Sequence, residues 1–125
     1  MRVALLTVLA AVEVNLIIRT FAVALFGLSG FLPLAVGPTV MFTVVGVLGA
    51  VAVFALMARF ARDPVRLFVR GAFVVLLLSL VPDVLLLFAG SMPGTTVAGV
   101  MALMAEHVAT WAITVGMLTT LARRQ

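Results

Sequence analysis

Four long apolar runs, at about residues 3–28, 38–59, 67–89 and 95–121, occupy nearly all of the 125 residues. A hydrocarbon core of roughly 30 Å takes about 20 apolar helical residues to cross, and each run is long enough. Lipid leaves no water to satisfy backbone N–H and C=O groups, so each run reads as α-helix. The expected fold is therefore all-α, one domain over residues 1–125, a four-transmembrane-helix bundle with no soluble module. Composition agrees. With 66% hydrophobic and 10% charged residues and a mean hydropathy of +1.41, the chain has too little polar surface to cover a soluble fold.

The start of the chain, a basic Arg2 followed by apolar residues, has the look of a signal peptide. The run continues past Glu13 to about Leu28, too long for a signal core, so it is read as the first span. The chain contains no cysteine, which excludes disulfides, thiolate metal sites and cysteine nucleophiles.

All eight basic residues are arginine. Arg2, the set Arg59, Arg62, Arg66 and Arg70, and the pair Arg123–Arg124 fall on one side of a four-span arrangement. The two connectors on the other side carry no basic residue. The positive-inside rule then places both termini and the arginine loop in the cytoplasm, in a plasma-membrane protein. This distribution also explains the net charge of +4 without a nucleic-acid partner. The expected surroundings are the lipid bilayer, with a second copy or another membrane protein as a further partner. Asp63–Pro64 reads as a turn or helix start. The connector GLSGFLPLAVGP is uncharged and apolar enough to lie in the headgroup region, with the second span starting near Pro38. Thr39, Thr43, Gly46 and Ala50 share one face of that span, a pattern that lets helices approach closely in lipid. Pro82 is expected to kink the third span, and Ser79 to bond to the backbone.

The informative residues are polar groups inside the apolar runs. An unpaired charge at the bilayer centre costs at least ~2.5–3.5 kcal/mol on insertion scales, so these groups need partners. With a rise of 1.5 Å per residue, Glu13 lies about 14 Å from the cytoplasmic edge and Arg19 about 9 Å further out. On the same measure Asp83 is level with Arg19, and Glu106 and His107 are level with Glu13. Two layers follow, one of Glu13, Glu106 and His107, the other of Arg19, Asp83 and Asn15. Arg19 with Asp83 is the expected ion pair, and span one is expected to lie between spans three and four. Three buried acids face one Arg and one His, which leaves Glu13 without a fixed cation.

Glu106, His107, Thr110, Trp111 and Thr114 fall within about 140° of one another on the fourth span. This stripe is either an interhelical face held by hydrogen bonds or a cavity lining with a titratable His and an aromatic wall. Neighbouring Glu106 and His107 do not form an i, i+4 metal pair, and no cofactor or metal is expected. No phosphate loop or nucleophile elbow is present, and no catalytic residue is assigned.

The stretches VEVNLIIR, GPTVMFTVVGVLGAVAVFALMARF, VLLLSLVPDVLLL and VAGVMALMAEHVATWAITVGMLTTLAR resemble a domain-of-unknown-function family of four-span membrane proteins of high-GC Gram-positive bacteria. Asn15, the run Ser79-Leu80-Val81-Pro82-Asp83 and His107 are the positions that the resemblance picks out. It implies the architecture and transfers no activity. A Glu halfway along the first of four short spans also resembles the small multidrug resistance transporters, although the one-sided arginines, the absent aromatic-rich first half and the absent glycine-rich third span depart from that family. Two functions lead, ahead of a membrane enzyme. One is a structural or accessory bundle with a buried polar network. The other is a proton-linked transporter or binder of small molecules using Glu13, Glu106 and His107, with Trp111 beside them.

Overall fold

The computed structural model describes residues 2–89 and 93–121, and Arg123 and Arg124 lie outside them. The described residues are helical and contain no strand. The helices are α1 (Arg2–Phe26), α2 (Val36–Phe60), α3 (Pro64–Ala89) and α4 (Val97–Thr120), with a short 3₁₀ turn at Leu32–Leu34. Each of the four α-helices is long and apolar enough to cross a membrane. Their outer surfaces match that solvent, with Phe60 and Phe88 about four-fifths exposed.

The helix ends follow from local chemistry. Gly27 takes φ +63°, and the amides of Gly27 and Leu28 both bond the Val23 carbonyl, which closes the end of α1. Asp63 starts α3 as expected. Its side chain accepts from Arg66 N at 3.2 Å and its carbonyl from Leu67 N at 3.1 Å, with Pro64 as the first helical residue. Thr96 caps α4 by accepting from Gly99 N at 3.0 Å. α3 continues through Pro82 without a break, and Ser79 Oγ donates to the Leu76 carbonyl at 2.7 Å.

The connector between α1 and α2 departs from its expected place near the headgroups. Leu28, Phe31 and Leu34 are buried in protein, where they pack with Ala22, Ala102 and Leu103. Phe31 lies against Gly99, where an added Cβ would come within 2.9 Å of the ring. A second apolar cluster, Val3, Phe54, Phe68 and Leu118, closes the opposite end, with Phe54 and Phe68 edge to face at 5.0 Å. The buried polar residues lie between these two clusters.

Helix order also differs from expectation. α1 packs against α4 and α2, α3 packs against α4 and α2, and α1 barely meets α3. Span one thus lies between spans two and four, not between three and four.

Candidate functional site

The polar residues fall into three groups. Asn15 is the first. It is 2% exposed, and its Nδ2 donates to Thr43 Oγ1 on α2 at 2.9 Å and to Thr110 Oγ1 on α4 at 2.7 Å. A side-chain amide has two N–H donors, so both are used. Thr43 Oγ1 passes its own hydrogen to the Thr39 carbonyl at 2.6 Å. Asn15 thereby ties α1 to two other helices.

Arg19 and Asp83 do not pair. Arg19 Nε donates to the Leu34 carbonyl at 2.5 Å. Leu34 ends the 3₁₀ turn and stands just before Ala35, the N-cap of α2, whose own carbonyl takes the first helical bond from Thr39 N, so the Leu34 carbonyl lies outside the helix ladder. The inward fold of the connector brings this orphan acceptor to Arg19. Asp83, on the helix that α1 hardly touches, instead meets α4. Its Oδ2 lies 2.7 Å from His107 Nδ1, a hydrogen-bonding distance reached at a poor angle.

The second group is on α3 and α4. Asp83 and Glu106 are buried, His107 and Trp111 half-buried. Trp111 stacks edge to face on Phe73 of α3 at 6.2 Å. These residues and Asn15 line a cleft of about 990 Å³ between α2, α3 and α4. Its rim includes the exposed side chains of Phe42, Val45 and Val53 on α2 and Val75 on α3, so it opens sideways between those two helices. Asn15 Oδ1, Thr39 Oγ1, Glu106 Oε1, Trp111 Nε1 and Thr114 Oγ1 are buried without a hydrogen-bond partner. Buried polar atoms are nearly always satisfied, so these five call for partners beyond the described side chains, ordered water among them. The cavity-lining form of the α4 stripe matches this geometry. All five stripe residues, Glu106, His107, Thr110, Trp111 and Thr114, line the cleft.

Glycine makes the space. Gly46 and Gly49 on α2 line the cleft, and an added Cβ at either would meet nothing within 4 Å. Gly71 on α3 also lines the cleft and has only Met57 Cε at 3.8 Å. The Thr39–Thr43–Gly46–Ala50 face was expected to permit close helix contact. Thr39 and Thr43 are buried, but the same face continues into the opening instead of a neighbouring backbone. Gly49 and Gly71 carried no functional expectation, because spacing within one helix does not show which neighbour a glycine faces.

Glu13 forms the third group alone. It is exposed on the outside of α1 and does not meet Glu106 or His107. Glu13 and Asn15 are 200° apart at 100° per residue, so burying one turns the other outward. The expected midplane layer of Glu13, Glu106 and His107 therefore does not converge, and no cluster of three His, Asp or Glu residues able to hold a metal occurs among the described residues.

No curated protein and no solved structure matches the chain. Residues 1–124 match a family described as a family of unknown function (DUF6069), and the chain belongs to that family.

Proposed function

We propose that this member of the unknown-function family is a multi-pass protein of the plasma membrane that takes a small amphipathic molecule from the bilayer into its lateral cleft. The end carrying Arg2, Arg59, Arg62, Arg66 and Arg70 faces the cytoplasm in this reading, because basic loops are retained on that side. The observation that supports the function most is the set of five unpartnered polar atoms around an opening of about 990 Å³. That volume is in the range of small-molecule sites. A network serving only as glue would close its hydrogen bonds; the Asn15 amide nitrogen does so with Thr43 and Thr110, whereas its Oδ1 stays open to the cleft.

The lining states what kind of molecule fits. Phe42, Val45, Val53 and Val75 at the rim suit an apolar body. Asn15 Oδ1 and Glu106 Oε1 accept, Trp111 Nε1 donates, and the Thr114 hydroxyl does either. A head that both donates and accepts, such as an alcohol or amine, satisfies more of these atoms than a carboxylate does. Any proton coupling would rest on Asp83, Glu106 and His107 and would not involve Glu13.

A structural role has its own support in the Asn15 links among α1, α2 and α4. The two readings separate in one titration. Trp111 is the only tryptophan and lines the cleft, so its emission reports occupancy directly. Long-chain alcohols and amines should change it saturably in the purified protein, and Gly46→Leu should weaken the response at least tenfold. A panel that leaves the emission unchanged, or an equal response in Gly46→Leu, would favour the structural role.

A further inference from the structure

The cleft does not use Glu13, and its position asks for a separate explanation. Glu13 is eleven residues into α1 from Arg2, about 16 Å along the helix axis, and the helix continues to Phe26 beyond it. It is therefore mid-span. Its side chain borders a shallow groove of about 270 Å³ on the outer surface with Leu16, Ile17, Thr20 and Phe21. Thr20 offers no donor to it, because its hydroxyl donates to the Leu16 carbonyl at 2.7 Å. Arg19, the basic residue within this helix, is already bonded to Leu34. The other described arginines lie at helix ends or in the α2–α3 loop, except Arg70, which is in the second turn of α3, a helix that α1 barely meets. A carboxyl facing hydrocarbon without a partner is among the most costly arrangements a membrane protein can hold.

Around it, Leu6, Ala10, Glu13, Ile17, Thr20 and Ala24 recur at spacings of four and three. All are exposed except Ala10, which is half-exposed, so they form one continuous outward seam. Spacings that alternate between four and three, with small residues among bulky ones, are the pattern of a left-handed helix pair. In two copies inserted the same way, equivalent residues lie at equal depth. Glu13 then meets Glu13. A carboxyl in its acid form both donates and accepts, so two of them are self-complementary, as a twofold interface requires. A lipid chain offers neither donor nor acceptor.

We propose that the Glu13 face of α1 is the contact surface of a parallel homodimer, with the two Glu13 carboxyl groups hydrogen-bonded to each other across the twofold axis. The cleft opens between α2 and α3, away from this face, so both copies keep theirs accessible.

The absence of native cysteine makes the test direct. Ala10→Cys, Ile17→Cys and Ala24→Cys lie on the seam, and Leu78→Cys on exposed α3 is the control. Each full-length variant is oxidised in liposomes that contain no other protein. The three seam variants should form disulfide-linked dimers, with little from Leu78→Cys. Adding Glu13→Leu to Ile17→Cys should lower cross-linking about three- to tenfold, the value of one interhelical hydrogen bond in lipid. Adding Glu13→Gln, whose amide also donates and accepts, should preserve most of it. Seam variants no more cross-linked than Leu78→Cys would overturn the proposal. So would equal cross-linking in Glu13→Leu and Glu13→Gln, which also covers the case of a variant that inserts poorly.

Discussion

The side of the molecule where α1 meets α4 and the side where α2 meets α3 are made from similar residues and do opposite things. Both place glycine among large apolar side chains. On the first side Gly99 is filled by the ring of Phe31, with no room for a Cβ. On the second, Gly46 and Gly49 leave space open. The difference is in what arrives from outside the helix pair. The α1–α2 connector folds inward and delivers Phe31 and Leu34 to one side, and no such segment reaches the other. A small residue in a membrane helix therefore creates either a contact or a cavity, and its neighbour in space decides which.

The polar residues repeat the contrast. Asn15 uses both its donors on Thr43 and Thr110 and acts as a clamp. Around Glu106 and Trp111, buried polar atoms remain free. The first arrangement ties three helices together, and the second leaves hydrogen-bonding capacity open to the cleft.

Substitutions on the closed side should have the largest effects. Gly99→Leu drives a side chain into Phe31 and should cost about 1–3 kcal/mol in stability, read from denaturant or thermal unfolding in detergent. Unfolding at the wild-type midpoint would mean that this side is looser than described. Asn15→Ala removes two interhelical hydrogen bonds at about 0.6 kcal/mol each on average in membranes, roughly 1 kcal/mol in all. Its effect should shrink in a Thr43→Ala, Thr110→Ala background, and full additivity would argue against the clamp.

A smaller and more specific effect concerns Arg19. Arg19→Met leaves the Leu34 carbonyl without a donor and should cost about 1 kcal/mol. A cycle of Arg19→Met with Asp83→Asn should show almost no coupling, whereas Asp83→Asn with His107→Ala should couple by about 0.5–1.5 kcal/mol. The smallest effect on stability is expected on the open side. Gly46→Leu should shift it by less than about 0.5 kcal/mol, because the new side chain enters empty space. A large loss there would close the cleft as an explanation.

The four helices were legible in the sequence because length and hydropathy alone specify a span. The stripe on α4 was legible for the same kind of reason, since helical spacing places Glu106, His107, Trp111 and Thr114 together. The partners of Arg19 and Glu13 were not. Depth along the membrane follows from counting residues, but rotation about each helix and the order of helices do not. In water an apolar stripe marks the inward face. In lipid both faces are apolar, so that signal is weak. The depth count put Asp83 in a layer with Arg19, and His107 in another, yet Asp83 meets His107. The connector decided the rest, and its burial depends on Phe31 finding Gly99, a contact between residues 68 positions apart. The 200° between Glu13 and Asn15 was available throughout and separated the two residues, but not which one faces in.

The openness of the α2–α3 side can be measured most directly through Trp111, the single tryptophan. The protein is reconstituted with lipids carrying bromine on the acyl chain, which quenches tryptophan on contact. With an open lateral cleft, acyl bromines should quench Trp111 strongly, and Gly46→Leu combined with Gly49→Leu should protect it. Quenching that is absent, or that persists unchanged in the filled variant, would contradict a cleft reached from the bilayer.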